Sequence, residues 1–257
     1  MRAIGCRFDR QGAPRRRAAP FRCRLVVMAK APAAGAVKTR LARALGVANA
    51  TRFARHATAA LLQRLAPDPR WQTILAVTPD VAVSRRCWPR GVIRVRQGNG
   101  DLGCRMQRLM NMLPPGPVAI IGTDVPGVTP AQIAPAFRRL GHAQAVFGRA
   151  LDGGYWLVGM RRRPRVLKAF ANVRWSSEHA LDDTLAHLRD VTVCFIATLP
   201  DVDEASAFYA AAGQFGRRVP SRSDAAPTQE QAQITGSRFL LGSLDALSNA
   251  RGGAKAI

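Results

Sequence analysis

Two aspartates stand where a chain of this pattern can do chemistry. The segment Ile120-Ile121-Gly122-Thr123-Asp124-Val125-Pro126 runs from an apolar stretch, Val118 to Ile121, into small residues, an acid and a proline. Short continuous apolar runs mark buried parallel strands, and functional loops in open α/β sheets leave their carboxyl ends. Asp124 therefore falls just past a strand tip, and Pro126 forces a turn by withholding a ladder donor. A carboxylate at that place can hold a hydrated Mg²⁺ or Mn²⁺ against a substrate phosphate; it can also cap the helix after the turn. The second acid opens Asp152-Gly153-Gly154-Tyr155. If it arrives near Asp124, it completes a metal site or serves as a base. Asp-Gly is equally a strong hairpin signal, and the two glycines allow either a positive φ or the close approach of a ligand.

Two further loops could hold an anion. Lys30-Ala31-Pro32-Ala33-Ala34-Gly35-Ala36-Val37-Lys38-Thr39-Arg40 joins a strand end, a glycine turn, three cations and the start of a helix. Free N–H groups and the dipole at such a start bind phosphate. Lys30, Gly35, Lys38, Thr39 and Arg40 are thus candidates for gripping phosphates, the alternative being a solvated basic turn. The spacing is not G-x-x-x-x-G-K-[ST], which excludes the nucleotide-hydrolase phosphate loop. The other loop is Gln97-Gly98-Asn99-Gly100-Asp101-Leu102-Gly103-Cys104-Arg105-Met106. Asp101 either caps the following helix or holds a ribose or base edge, with Arg105 one turn on reaching a phosphate.

The elements that must position these loops alternate. The pattern predicts strands over 24–30, 71–77, 92–95, 118–122, 143–148, 155–160 and 191–197. It predicts helices over 38–45, 47–66, 101–113, 130–140, 178–188 and 203–213, with Thr129 capping the fourth, Pro130 at its first position, and Ser176 or Ser177 capping the fifth. Residues 161–165 read as a basic surface segment. Such alternation implies an α/β fold, a Rossmann-like, mostly parallel sheet flanked by helices on both faces. Residues 1–23 read as a disordered Arg-rich arm, 24–216 as the domain and 217–257 as a low-order tail, since neither end has periodic apolar positions.

Composition bounds the rest. The 257 residues are 47% apolar, enough for a full core, with no run long enough to cross a membrane. Cysteines at 6, 23, 87, 104 and 194 are scattered and include no C-x-x-C pair. That argues for reduced thiols in a cytoplasm and against a zinc ribbon. The formal charge is +23, and lysine occurs only at 30, 38, 168 and 255, so 35 of the 39 basic residues are arginine. Such a surface can bind polyanions, including nucleic acid. Aromatic residues are only 6%, and no recognition helix or stacking platform is visible, so the charge suits a small anionic substrate at least as well. The four histidines (56, 142, 179, 187) share no metal spacing, and there is no G-x-S-x-G elbow. His179 and His187 read as surface positions.

Taken in order, KAPAAGAVKTRLARALG, GDLGCRM, IIGTDVP, GRALDGGYWLVGM and WSSEHALDDT resemble the bacterial glycosyltransferase-like family related to 2-phospholactate guanylyltransferase, the selenodomain-associated transferase group. The resemblance covers about residues 24–212. It implies the nucleotide-diphospho-sugar transferase (GT-A) type of fold, with a nucleotide across the strand ends and a small acceptor. It further implies that Lys30, Gly35, Lys38 and Arg40 grip the nucleotide phosphates, that Asp124 holds the metal, and that Asp152 and Tyr155 line the acceptor side. Glycosyl transfer and nucleotidyl transfer both remain open, and a non-catalytic polyanion binder is the rival from another class. Cys104 stands where the family usually has Glu, and Arg149 where it often has Pro before the Asp-Gly-Gly-Tyr turn.

Overall fold

Seven strands and four α-helices form among residues 21–33, 42, 46–125 and 127–199, which the computed structural model describes. The strands are β1 (Arg24–Lys30), β2 (Gln72–Thr78), β3 (Ile93–Arg96), β4 (Val118–Ile121), β5 (Ala145–Ala150), β6 (Tyr155–Met160) and β7 (Val193–Leu199). The helices are α1 (Val47–Leu65), α2 (Leu102–Met112), α3 (Pro130–Arg139) and α4 (Ala180–Ala186). The two expected terminal arms, apart from residues 21–23, and the expected helix over 203–213 lie outside the described residues. So do Gly35, Lys38, Thr39 and Arg40.

One sheet contains all seven strands in the order β3-β2-β1-β4-β6-β5-β7. β1 pairs in parallel with β2 and β4, β2 with β3, and β5 with β7; β6 runs antiparallel between β4 and β5. Because β6 is the one reversed strand of this sheet, the turn leading into it lies at the same edge as the carboxyl ends of the others.

Alternation along each central strand builds two cores. Leu25, Val27, Leu75, Val77, Ala119 and Ile121 face one side, with Leu61, Leu62 and Leu65 of α1 and Ile133 of α3. Val26, Met28, Ile74, Ala76, Val118 and Ile120 face the other, with Met106, Leu109 and Met110 of α2 and Leu181 of α4. Both faces being covered, β1 reads as a continuous apolar run rather than an alternating one. Helix α1 buries Ala50, Phe53, Ala57 and Leu61 at the helical repeat. Truncating one of its fully buried leucines to alanine costs about 2–5 kcal/mol.

Several arginines are tied to the backbone rather than offered to solvent. Arg24 Nη1 donates to the carbonyls of Arg22, Pro114 and Pro115, each at 3.1 Å. Arg162 donates to those of Leu113, Pro114 and Gly116. Together they neutralise the carbonyl-rich segment that ends α2, where the helix dipole favours cations. The segment over 161–165, expected at the surface, is thus partly anchored through a half-buried Arg162. Arg64, Arg94 and Arg108 also donate to main-chain carbonyls.

Other boundaries differ by a residue or two, and for reasons that can be named. β5 begins at Ala145 because the N–H groups of Gln144 and Ala145 both go to Thr192 O in the approach to β7. Helix α4 begins at Ala180, with His179 at its cap position, not Ser176 or Ser177. Ser177 Oγ instead donates to Arg174 O at 2.6 Å and accepts from His179 N at 3.3 Å, closing a turn before the helix. Thr129 and Pro130 begin α3 as the pattern required.

Candidate functional site

The tip of β4 lies at the middle of the sheet, and Asp124 follows it by three residues. A Cβ built on Gly122 would lie 3.3 Å from Asp124 Oδ2, so the carboxylate folds back over the strand end. Leu157 of β6 is registered with Ile121 on one side and Gly148 of β5 on the other. The β5–β6 turn, with Asp152, therefore comes up beside the β4 tip. Asp152 Oδ1 accepts a hydrogen bond from Gly154 N at 3.0 Å. Gly153 has φ 82, and any side chain there would collide with the backbone of Glu178. The turn is a hairpin whose first glycine serves close packing against the chain before α4, and Leu181 N donates to Gly153 O at 3.3 Å.

Asp124 and Asp152 line one open cavity of about 640 Å³ at the strand tips. Gly154, Tyr155, Trp175, Ser176, Ser177 and Glu178 line it, as do Met28, Ala29, Gln97, Leu102 and Met106, with Ile120, Ile121 and Gly122 at the β4 tip. The structure thus brings Asp124, Asp152, Gly154 and Tyr155 together. Gly153 supports the turn without lining the cavity. Lys30 is exposed at the end of β1 and is also outside the lining.

In the loop after β3, Asp101 makes the helix cap that was one of its two readings. Its Oδ1 accepts from Cys104 N at 2.7 Å, which caps α2. That bond, with a smaller contribution from the nearby Trp175 indole, holds the carboxyl below the ordinary aspartate value. Arg105 Nε donates to Gly100 O at 2.9 Å, and neither Asp101 nor Arg105 lines the cavity. The loop is fixed by neighbours: Gly98 N donates to Asp80 Oδ1 at 2.9 Å, and Arg108 Nη1 to Gln97 O at 2.7 Å and Asn99 O at 3.0 Å. Gln97, Trp175 and Glu178 are cavity residues that the sequence reading did not single out. Each lies inside or beside a quoted motif, but attention to charged and glycine positions passed over a glutamine and a tryptophan.

On the β6–α4 side, Tyr155 packs edge-on against Phe147 and Trp175, with ring centroids 5.2 Å and 6.4 Å away. Thr184 Oγ1 gives its proton to Ala180 O at 2.7 Å. The 3.4 Å contact between Tyr155 Oη and Thr184 Oγ1 therefore has Tyr155 as donor. Burial pushes the Tyr155 phenol well above its ordinary value, so it stays protonated near neutral pH. Glu178 is 80% exposed, 3.8 Å from His179 Nε2. The donor chemistry fits magnesium, which takes one or two carboxylates and completes its shell with water and substrate phosphates. Among the described residues no group of three or more His, Cys, Asp or Glu could hold a metal, so a cage built only of protein ligands is not formed there.

Comparison with known proteins bears on the fold. Residues 61–177 match the family described as "Uncharacterized protein conserved in bacteria (DUF2064)", a span holding three of the five motifs whole. No curated protein matches the chain. A crystal structure from Desulfovibrio desulfuricans G20, provisionally described as a nucleotide-diphospho-sugar transferase, is 25% identical with a TM-score of 0.67, over 78% of this chain and 90% of that one. The 4-diphosphocytidyl-2C-methyl-D-erythritol synthase of Anaerococcus prevotii DSM 20548 gives 10% identity and a TM-score of 0.52, over 77% and 99% of the two chains. A CMP:2-keto-3-deoxy-manno-octonic acid synthetase, solved with CTP, gives 10% and 0.50, over 76% and 98%. The fold is of the nucleotide-diphospho-sugar transferase type. No helix among the described residues is long and apolar enough to cross a membrane.

Proposed function

Starting from a fold of the nucleotide-diphospho-sugar transferase type, we propose that this chain is a Mg²⁺-dependent transferase whose donor is a nucleotide or a nucleotide-sugar. The observation that carries the reading is the pairing of Asp124 and Asp152, from separate elements, on one cavity at the strand tips. Both would hold the ion, which when bound neutralises charge developing on the departing phosphate. Lys30, Gly35, Lys38, Thr39 and Arg40 are proposed to grip the donor's phosphates. On the acceptor side Gly154 N–H fixes one oxygen of Asp152. Tyr155 keeps its proton and cannot serve as a base. Asp152 and Glu178 are then the carboxylates able to take a proton from an acceptor hydroxyl. These roles serve glycosyl and nucleotidyl transfer alike.

The rival polyanion binder draws on the +23 charge. Against it stands the use of Arg24, Arg64, Arg94, Arg105, Arg108 and Arg162 as staples on main-chain carbonyls. A thermal-shift screen of nucleoside triphosphates and nucleotide-sugars, with and without Mg²⁺, tests the proposal. One donor class should raise Tm in a Mg²⁺-dependent way, by the equivalent of about 2.7 kcal/mol at 100 times its Kd. Stabilisation by single-stranded RNA alone, with no donor effective, would favour the polyanion reading instead.

A further inference from the structure

We infer that the carboxyl edge of the sheet docks on an anionic lipid surface, with Val81 and Leu151 entering the headgroup layer and Lys30, Arg96 and Arg149 meeting the lipid phosphates. This surface does not depend on which donor the cavity takes.

Val81 is 77% exposed and Leu151 76%, whereas none of the other exposed large apolar residues among those described exceeds 53%. A single aliphatic side chain in water is ordinary. Here the two most exposed share one edge of the molecule. Strands β1 to β5 all run in one direction, since β6 is antiparallel to both β4 and β5. Val81 lies in the 3₁₀ turn Asp80–Ala82, just past the end of β2. Leu151 follows β5 directly, at the hairpin into β6. Both therefore stand at the carboxyl ends, on separate loops.

The same edge carries the cavity. Leu151 stands between Ala150 and Asp152, which line it. Asp80, beside Val81, accepts from Gly98 N at 2.9 Å, and Gln97 next to that glycine lines the cavity too. By contrast Ile93 begins β3 and Met112 ends α2, which puts both at the opposite edge.

Charge names the partner. Lys30 is the last residue of β1, Arg96 the last of β3 and Arg149 the last but one of β5, and all three are exposed. The acids nearby are otherwise engaged. Asp80 holds Gly98 N and Asp101 holds Cys104 N, while Asp124, Asp152 and Glu178 line the cavity. The edge thus sets cations beside aliphatic tips. At an anionic bilayer the tips leave water in the boundary below the headgroups while the cations meet phosphate. A nucleic acid offers those cations the same phosphates but gives Val81 and Leu151 nothing, because its bases are gripped by aromatic stacking. No membrane-crossing helix is needed for such docking.

The experiment is flotation of the full chain with vesicles of phosphatidylcholine alone and of equal parts phosphatidylcholine and phosphatidylglycerol, at low and high salt. Three double variants accompany the wild type: Val81→Ser with Leu151→Ser, Arg96→Ser with Arg149→Ser, and Ile93→Ser with Met112→Ser as the control from the other edge. The wild type should bind the anionic vesicles. The tip variant should lose about tenfold or more in partitioning at both salt concentrations, and the arginine variant about fivefold or more at low salt. The control should change less than about twofold. A second measurement does not rely on loss: Leu151→Trp should gain quenching by brominated acyl chains over the wild type. No binding to anionic vesicles overturns the inference. So does binding that high salt abolishes and the tip variant leaves unchanged, which would assign it to charge alone, or an equal loss in the control. Binding of single-stranded RNA that the tip variant weakens as much would give the edge to nucleic acid instead. A vesicle-free dimer in sedimentation that the tip variant abolishes would give it to a second copy of the chain.

Discussion

The loops at 97–101 and 152–155 look alike in sequence, each setting aspartate beside glycine, yet the fold uses their aspartates differently. Asp101 immediately precedes α2, so the free N–H groups of the first turn lie within reach and Cys104 N claims its carboxylate. Asp152 stands at the tip of a hairpin with no helix behind it. Gly154 N takes one oxygen, and the residue still lines the cavity. An acid one residue before a helix belongs to the helix; an acid at a hairpin tip is available to a ligand.

The sharpest way to break this contrast is at Gly153. Its φ of 82 and its contact with the Glu178 backbone both forbid a side chain. Gly91 has almost the same φ, 80, with nothing within 4 Å of its Cβ position, and so serves as the control. Gly91→Ala should cost about 1–2 kcal/mol in urea denaturation, from backbone strain alone. Gly153→Ala should cost about 2–5 kcal/mol, because overpacking adds to that strain. Equal losses would mean that the hairpin does not rest on the chain before α4.

A smaller effect separates the two acids directly. Asp101→Ala should lower Tm by a few degrees and leave Mg²⁺-dependent donor affinity unchanged, whereas Asp152→Ala should do the reverse. Loss of donor binding in the first variant would return Asp101 to the site.

Acid titration probes the support beneath Glu178. The Arg174 guanidinium and main-chain N–H hold the Asp183 carboxyl far below the ordinary carboxylate range, through bonds of 2.8 to 3.0 Å. A carboxyl lowered in the folded state stabilises above its unfolded pKa, about 3.9. That contribution is lost as pH falls through the lower folded value. Asp183→Asn should therefore flatten the decline in Tm below about pH 4, and an unaltered acid limb would show that the pair contributes nothing.

The smallest effect is at Tyr155. Its hydroxyl makes one long bond, 3.4 Å, to Thr184, and the phenol stays neutral. Tyr155→Phe should change stability by less than about 1 kcal/mol and leave the pH dependence of transfer unmoved. A displaced alkaline limb would make the phenol a participant.

Much of the fold was legible in the sequence because its signals are local. Buried strands showed as continuous apolar runs, and β1 and β6 have the bounds the pattern required. Thr129-Pro130 announced α3, and Asp152-Gly153 announced a hairpin. The convergence of Asp124 and Asp152 was legible only as a possibility, because it depends on β6 running backwards between β4 and β5. No residue pattern within either loop states that. Gln97 was passed over because its placement comes from two carbonyls, Ala29 and Ala76, distant in sequence. The start of α4 was misjudged because the hydroxyl of Ser177 is used in the preceding turn.

The central claim is that Asp124 and Asp152 together serve a metal-dependent donor site. The most direct test titrates the donor that responds in the thermal screen into wild type, Asp124→Asn and Asp152→Asn, each with and without Mg²⁺, with melting temperatures measured alongside. Both variants should keep Tm within a few degrees and lose the Mg²⁺-dependent part of the affinity, about tenfold or more for each, since a charge-assisted contact is worth about 1.5–3 kcal/mol. Unchanged Mg²⁺-dependent affinity in Asp124→Asn would contradict the account.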